Sequence, residues 1–194
     1  MSSSRDGYHH GDLAHALESA AMQLIAEKPA QEISLREVAR AANVSHNAPY
    51  HHFADRNGLL KVIAERSMTD LVDAVVDAVE AAPDSRTAFR EGGAAYLRFA
   101  VERPHAFAAI YDPTVCVPGS PTPAMAALID RLEGVLNDIT AAVGLSEPVD
   151  AVSVWGMIHG LGVLSAAGHI PLPAALAAQG NAVDRLLAGI PAVS

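Results

Sequence analysis

Apolar residues recur every three or four positions along most of the chain. Leu13, Leu17, Ala20, Ala21 and Leu24 form one such stripe, and Leu60, Ile63, Leu71, Ala74 and Ala78 form another. This period marks amphipathic helices, and the strict alternation of a half-buried strand is almost absent. The pattern predicts helices over 11–28, 34–42, 45–52, 56–81, 85–101, 104–111, 121–143, 147–168 and 173–188. The breaks between them fall at Pro29, Asn43-Val44, Pro83, Pro104, the 113–123 stretch, Gly144 and Pro171. These residues either deny a helix its N–H or favour a turn. Residues 112–121, with three prolines and a glycine, are the one long loop. The expected fold class is all-α.

Composition narrows the picture. Of 194 residues, 51% are apolar and 18% charged, enough to build a core and to exclude a disordered chain. Cys116 is the single cysteine, so there is no intrachain disulfide framework, and the usage fits a reducing cytoplasm. The start, Met1-Ser2-Ser3-Ser4-Arg5-Asp6, lacks the apolar core of a signal peptide. The net charge of −9 argues against a wholesale nucleic-acid coat. The charge is nevertheless uneven: residues 34–66 carry five basic side chains against three acidic, and six of the nine histidines lie within residues 1–52. At the other end, the 33 residues 151–183 contain no charged side chain. A membrane span needs only about 18 to 20 such residues. Pro171 and Pro173 break this run, glycines crowd its first half, and the residues directly flanking it, Asp150 and Asp184, are acidic where an anchor would be Lys or Arg. A helix pair buried in a protein interface fits better.

Residues 34–53 carry the most specific signal. Ser34 and Glu37 are spaced as a capping box, which opens a helix. Leu35, Val38, Ala39 and Ala42 form the inner face of that helix, and the two alanines let a neighbour approach closely. Asn43 is suited to a left-handed backbone turn, and Val44 to plugging the angle that follows. Ser45 then caps a second short helix. Two short helices, a tight turn and an apolar plug are the parts of a helix-turn-helix, whose second helix enters the DNA major groove. Such pairs also occur in proteins that never touch DNA. Here, however, the outward face of the second helix carries His46, Asn47, Tyr50, His51 and His52 in place of the Glu and Lys of a merely solvated face. These side chains can meet base edges and phosphates.

Gly7-Tyr8-His9-His10-Gly11-Asp12-Leu13, the 34–42 helix, and Val44-Ser45 followed by Tyr50-His51-His52-Phe53-Ala54-Asp55-Arg56 and Leu59-Leu60 resemble the TetR family of bacterial transcriptional regulators over residues 7–66. The resemblance implies a three-helix DNA-binding domain over 1–55 and a helical ligand-binding and dimerisation domain over 56–194, entered through a long fourth helix. It implies base or phosphate contacts from Ser34, Arg36, His46, Asn47, Tyr50 and His51, with Ser45 at the head of the reading helix. It also implies a phosphate contact from Arg56 or Lys61. Pro49 stands where many members have an ordinary helix former, and Asn43 replaces the more usual glycine. Trp155-Gly156-Met157-Ile158-His159-Gly160-Leu161 is similar to the Trp-His-Gly signature of one group of TetR-type C-terminal domains.

Gly156 and Gly160 share a helical face, and with Gly162, Ala166 and Ala167 they keep their helix slim. The 147–168 and 173–188 helices are therefore expected to form a four-helix interface between two copies, through Gly156, Gly160, Leu164, Val183 and Leu187. Between reading head and interface lie candidate pocket residues. The first are Phe99, Phe107, Ile110 and Tyr111; Met125, Leu128 and Ile129 follow, then Trp155 and His159, which are one turn apart. Most of the aliphatics would serve equally as plain core. No cofactor is expected. The histidine pairs 9–10 and 51–52 lack the further ligands a zinc site needs, and no nucleophile elbow or phosphate loop suggests an enzyme. The expected activity is that of a cytoplasmic, homodimeric repressor that binds double-stranded operator DNA and is released by a small, largely apolar effector. The alternative is an all-α ligand-binding protein whose helix-turn-helix is structural.

Overall fold

The structure is a computed structural model that describes the backbone of residues 6–188 and the side chains of residues 13–188. Among the described residues there are nine α-helices and no strand: α1 (Asp6–Glu27), α2 (Leu35–Ala41), α3 (Pro49–His52), α4 (Arg56–Glu80), α5 (Ser85–Glu102), α6 (Pro104–Ile110), α7 (Pro123–Ala142), α8 (Pro148–Ala166) and α9 (Leu172–Leu187). A single 3-10 turn, Ala30–Glu32, joins α1 to α2. The largest shift from the expected bounds is the start of α1. It runs through Gly7 and Gly11, whose low helix propensity hides a start at Asp6.

Local chemistry explains where the helices begin and end. Ser34, Asp84 and Thr122 each accept a hydrogen bond from the backbone N–H three residues on, satisfying a donor that the helix leaves open. Pro123, Pro148 and Pro173 sit in first turns, where a missing N–H costs nothing. Three helices end in the same closure. At α2, Val44 N–H reaches Ala39 O at 3.0 Å and Asn43 N–H reaches Arg40 O at 3.1 Å. The same pair of bonds recurs around Gly144 after α7 and around Gly168 after α8. Each closure needs a left-handed residue, and the φ values are 53° at Asn43, 89° at Gly144 and 78° at Gly168.

The chain forms two compact units. The first comprises the residues up to Ser67 together with His105–Pro121, and the second comprises Met68–Pro104 and the residues from Thr122 onward. The division differs from the 55/56 boundary expected at the start of α4. The opening turns of α4 bury Leu59, Leu60, Ile63 and Ala64 within the first unit, alongside Leu17, Ile25, Ile33, Val38 and Phe53. The α6 segment joins that unit too, contributing buried Phe107 and Ile110. In its loop, the buried Asp112 carboxylate accepts hydrogen bonds from the Gln31 amide and, at 2.8 Å, from Thr114 N–H.

The second unit is organised around α5, which packs against α7, α8 and α9. Its residues from Ala94 to Ala100 are buried except Arg98. Gly93 lets α8 and α9 come close: a Cβ there would lie 2.8 Å from Gln179 Nε2 and 2.9 Å from Ile158 Cδ1. Gln179, itself buried, donates to Arg90 O at 3.1 Å, and Arg90 forms an ion pair with Asp184.

Candidate functional site

In the first unit, α2 and α3 are joined by the Asn43 turn. Leu35, Val38 and Ala39 point into the core, Val44 is half-buried in the angle, and Pro49 and Phe53 anchor α3. The capping box is complete. Ser34 Oγ accepts from Glu37 N–H at 3.3 Å, and Glu37 accepts from Ser34 N–H at 3.0 Å. Lys28 Nζ lies 2.6 Å from Glu37 Oε1. The hydrogen bonds from Lys28 and then from Ser34 hold the Glu37 carboxyl at about 2, well below its ordinary 4.5. Glu37 is therefore ionised but matched by a cation, so little of its charge opposes the neighbouring basic side chains.

The α3 segment departs from expectation. A helix over 45–52 was expected with Ser45 as its cap, whereas regular α-helix covers only Pro49–His52. Pro49 has no N–H to give Ser45 O, and its ring would crowd that carbonyl. Ala48 N–H takes the place instead, bonding Ser45 O at 2.9 Å, and Tyr50 N–H bonds Asn47 O at 3.2 Å. The entry to α3 is thus a tight turn of i to i−3 bonds, and Ser45 Oγ accepts only a 3.4 Å bond from Asn47 N–H.

The polar face survives this shortening. Ser45, His46, Asn47, Tyr50 and His51 are exposed, Tyr50 to 54%, and Arg36 on α2 is exposed beside them in the sequence of the motif. Arg40, which the sequence reading left out, is exposed at the end of the same helix; its four-residue spacing from Arg36 is the signal that identifies it. Ser34 is half-buried and spends its hydroxyl on Glu37. His52 lies 3.3 Å from Glu18 Oε1 and edge-on to Phe53, which fixes it to the unit's own surface. The Arg56 guanidinium donates to Ile33 O at 3.3 Å and to Gln31 O, so it staples the start of α4 to the α1–α2 link. Lys61 is half-buried. The side chains of the 7–12 motif, including His9 and His10, lie outside the described residues.

The nine expected pocket residues are divided. Phe107, Ile110 and Tyr111 belong to the first unit, where the Phe107 and Tyr111 rings pack at 5.2 Å. Phe99 sits under the Arg103 guanidinium, 5.6 Å from its ring centre. Met125, Leu128 and Ile129 lie on the first turns of α7. The second unit does hold an apolar cavity of about 40 Å³, one to two turns further along α7, and of the nine only Trp155 lines it. Phe89, Gly92, Gly93 and Tyr96 supply its α5 wall, and Leu132, Val135, Leu136 and Ile139 its α7 wall. Residue type alone picked out the aromatics; the face each helix turns inward decided the lining. The internal Gly92-Gly93 pair was the legible sign of close approach on α5.

Beside this cavity, Tyr96 Oη and His159 Nδ1 share a 2.8 Å hydrogen bond, and the Trp155 ring lies 5.5 Å from the His159 ring at 31°. Burial pushes the His159 imidazole below its usual value and favours the neutral ring. Tyr96 was not anticipated, since a partner 63 positions away leaves no local pattern.

The expected interface residues also divide. Gly156 and Leu164 are exposed and Gly160 partly so, but Val183 (2% exposed) and Leu187 (4%) face inward and belong to the protomer's own core. The inward face of α9 is Ala175, Gln179, Gly180, Val183 and Leu187, so its outward face is the small-residue run Ala174, Ala177, Ala178 and Asn181. On α8 the outward side carries Val149, Val152, Trp155, Val163 and Leu164. Among the described residues, α8 is the one helix long and apolar enough to cross a membrane by length and composition alone. Its other side, Ala151, Val154, Ile158, Gly162 and Ser165, is buried within the unit.

Comparison with known proteins places these observations. Residues 17–63 match the model described as bacterial regulatory proteins, tetR family, and residues 89–189 match the model described as tetracyclin repressor-like, C-terminal domain. The chain belongs to the TetR family. It is a transcriptional regulator with a helix-turn-helix DNA-binding domain; ligand-binding C-terminal domains and dimerisation are typical of this family. A protein of unknown function from Rhodococcus sp. RHA1 is 28% identical, with a TM-score of 0.75 over 96% of this chain and 99% of that one. The TetR-family transcriptional regulator PfmR from Thermus thermophilus is 26% identical, with a TM-score of 0.61 over 91% and 98%. A tetR-family regulator from Streptomyces coelicolor, at 22% identity, shares the fold with a TM-score of 0.65 over 93% and 90%. No curated protein matches the chain in sequence.

Proposed function

We propose that this TetR-family regulator is a cytoplasmic, homodimeric repressor that leaves its operator when a small, largely apolar effector binds the second unit beside Trp155 and His159. The observation that carries the DNA reading is the exposed polar face of the turn and α3, with Asn47 and Tyr50 beside exposed Arg36 of α2. Asn and Arg can each pair with base edges, and Tyr with phosphate. Ser45, His46 and His51 extend the face, and Lys61 is a further phosphate partner. The internal bonds of Ser34 and Arg56 favour a positioning role for both. The apolar outward side of α8 supports dimerisation, which would present two reading heads to successive major grooves roughly 34–36 Å apart. The Trp-His-Gly grouping rests on residues 155–161 alone.

A mobility shift on the DNA upstream of the protein's own gene, repeated across salt concentrations, tests this reading. Binding should weaken steeply with salt as phosphate contacts release counterions. Arg36→Ala should weaken operator binding by about 1–3 kcal/mol if Arg36 reads a base, while leaving non-specific binding nearly unchanged. An equal loss on all sequences would assign Arg36 to phosphate, and a salt-independent or absent shift would overturn the DNA reading.

A further inference from the structure

The cavity of the second unit has a chemically uniform lining. Its walls include Phe89 and Tyr96 of α5, Leu132 and Leu136 of α7, and Trp155 of α8, and no charged side chain lines it. The nearest polar pair is already engaged: Tyr96 Oη and His159 Nδ1 are 2.8 Å apart. His159 is held toward its neutral form by burial, so it offers an anion no ready countercharge. An ionised group seated against this lining would lose part of its hydration without gaining a partner, which costs more than burying an uncharged ring.

The space is also small. About 40 Å³ holds a water or two, whereas an enclosed apolar cavity on the order of 150 Å³ is needed for a benzene-sized ring. One wall must therefore move. The α5 wall is buried, and the gaps left by its glycines are already filled, by Val79 at Gly92 and by Gln179 and Ile158 at Gly93. The α7 wall is different. Only Met125 and Thr140 of α7 are fully buried, and its cavity-lining leucines remain partly exposed. Outward movement of α7 uncovers little that water does not already reach, and a bound ring would cover those side chains again.

We propose, resting on the effector reading above, that this cavity admits an uncharged, compact ring compound by outward movement of α7, and rejects the same ring bearing a carboxylate or an ammonium group. Trp155 is the chain's single tryptophan and lines the cavity, but its ring is also partly exposed on the outward side of α8, so the cavity-filling variants below separate a cavity response from one at that outer face. The full-length protein is titrated at pH 7.5 with benzyl alcohol, benzoate and benzylammonium, in parallel with a mobility shift on operator DNA. Benzyl alcohol should produce a saturable change in Trp155 emission, with both charged rings at least about tenfold weaker. Leu136→Phe and Val135→Phe, which fill the cavity from its yielding wall, should each weaken benzyl alcohol by about tenfold, with thermal melts confirming that they fold. Equal binding of a charged ring overturns the assignment, as does the lack of a saturable signal from the alcohol, or undiminished binding to both folded variants. If the alcohol binds as expected but DNA stays bound, the cavity assignment stands and effector release fails. If one of the rings releases DNA without moving Trp155 emission, release stands and this cavity is not its site.

Discussion

Single residues decide the geometry of the reading head and the chemistry of the cavity. Asn43 holds a φ of 53°, where a Cβ-branched residue would crowd the following carbonyl. Asn43→Val should therefore cost about 1–2 kcal/mol in thermal or denaturant unfolding, whereas Asn43→Gly should be neutral or slightly stabilising. The left-handed turn was readable from the sequence because Asn is among the few residues that adopt it. His159 carries a pH signature. Its imidazole is depressed from 6.5 in the folded state, so below that value the unfolded chain takes up a proton that the folded chain resists. The stability it contributes is present above about pH 6.5 and lost as pH falls through the folded value. Unfolding measured from pH 8 to pH 5 should show a decline that His159→Gln makes shallower; identical profiles would remove His159 as its source.

Helices show where local pattern suffices and where it does not. The bounds of α4 to α9 were legible to within two residues because Asp84 and Thr122, the first-turn prolines, and Gly144 and Gly168 all act locally. The entry to α3 was not. Ser45 looks like a cap, but Pro49 four residues on withholds the N–H that would have completed the first turn. Packing imposes a further demand on α5. Gly93→Ala should destabilise by about 1–3 kcal/mol, since its Cβ would press on Gln179, which is tied to Arg90 O. Gly92→Ala should cost less, because the group it meets at 2.9 Å is a terminal methyl of the half-buried Val79. Denaturation midpoints of the two variants check the order.

At the scale of the whole molecule, the glycines of α8 separate folding from assembly. A Cβ at Gly156 or Gly160 would meet nothing within 4 Å in the protomer. Replacing either by Ala should then favour the helix by about 1 kcal/mol if the protomer acts alone. If this face packs against a second copy, as proposed, the same methyl should weaken the dimer. Sedimentation of Gly156→Ala against the unaltered protein reads the sign directly, since a loss on adding one methyl here must come from another chain. The division of the chain into two units likewise lies beyond local pattern. Nothing in residues 105–121 announces that they belong with helices some 80 positions earlier; the Gln31 to Asp112 hydrogen bond and the burial of Phe107 and Ile110 establish it.

Helix periodicity, caps, breakers and the 34–53 motif act over a few residues, so the amino-acid order alone determined the all-α class, nearly every helix, the left-handed turn at Asn43 and the polar character of α3. Tertiary structure decided what depends on which side of a helix meets which neighbour. It turned Val183 and Leu187 inward, paired Tyr96 with His159, moved the cavity along α7 from Met125 toward Leu136, and gave the α6 segment to the first unit. Those outcomes join residues tens of positions apart, and a repeat of three or four residues carries no record of them.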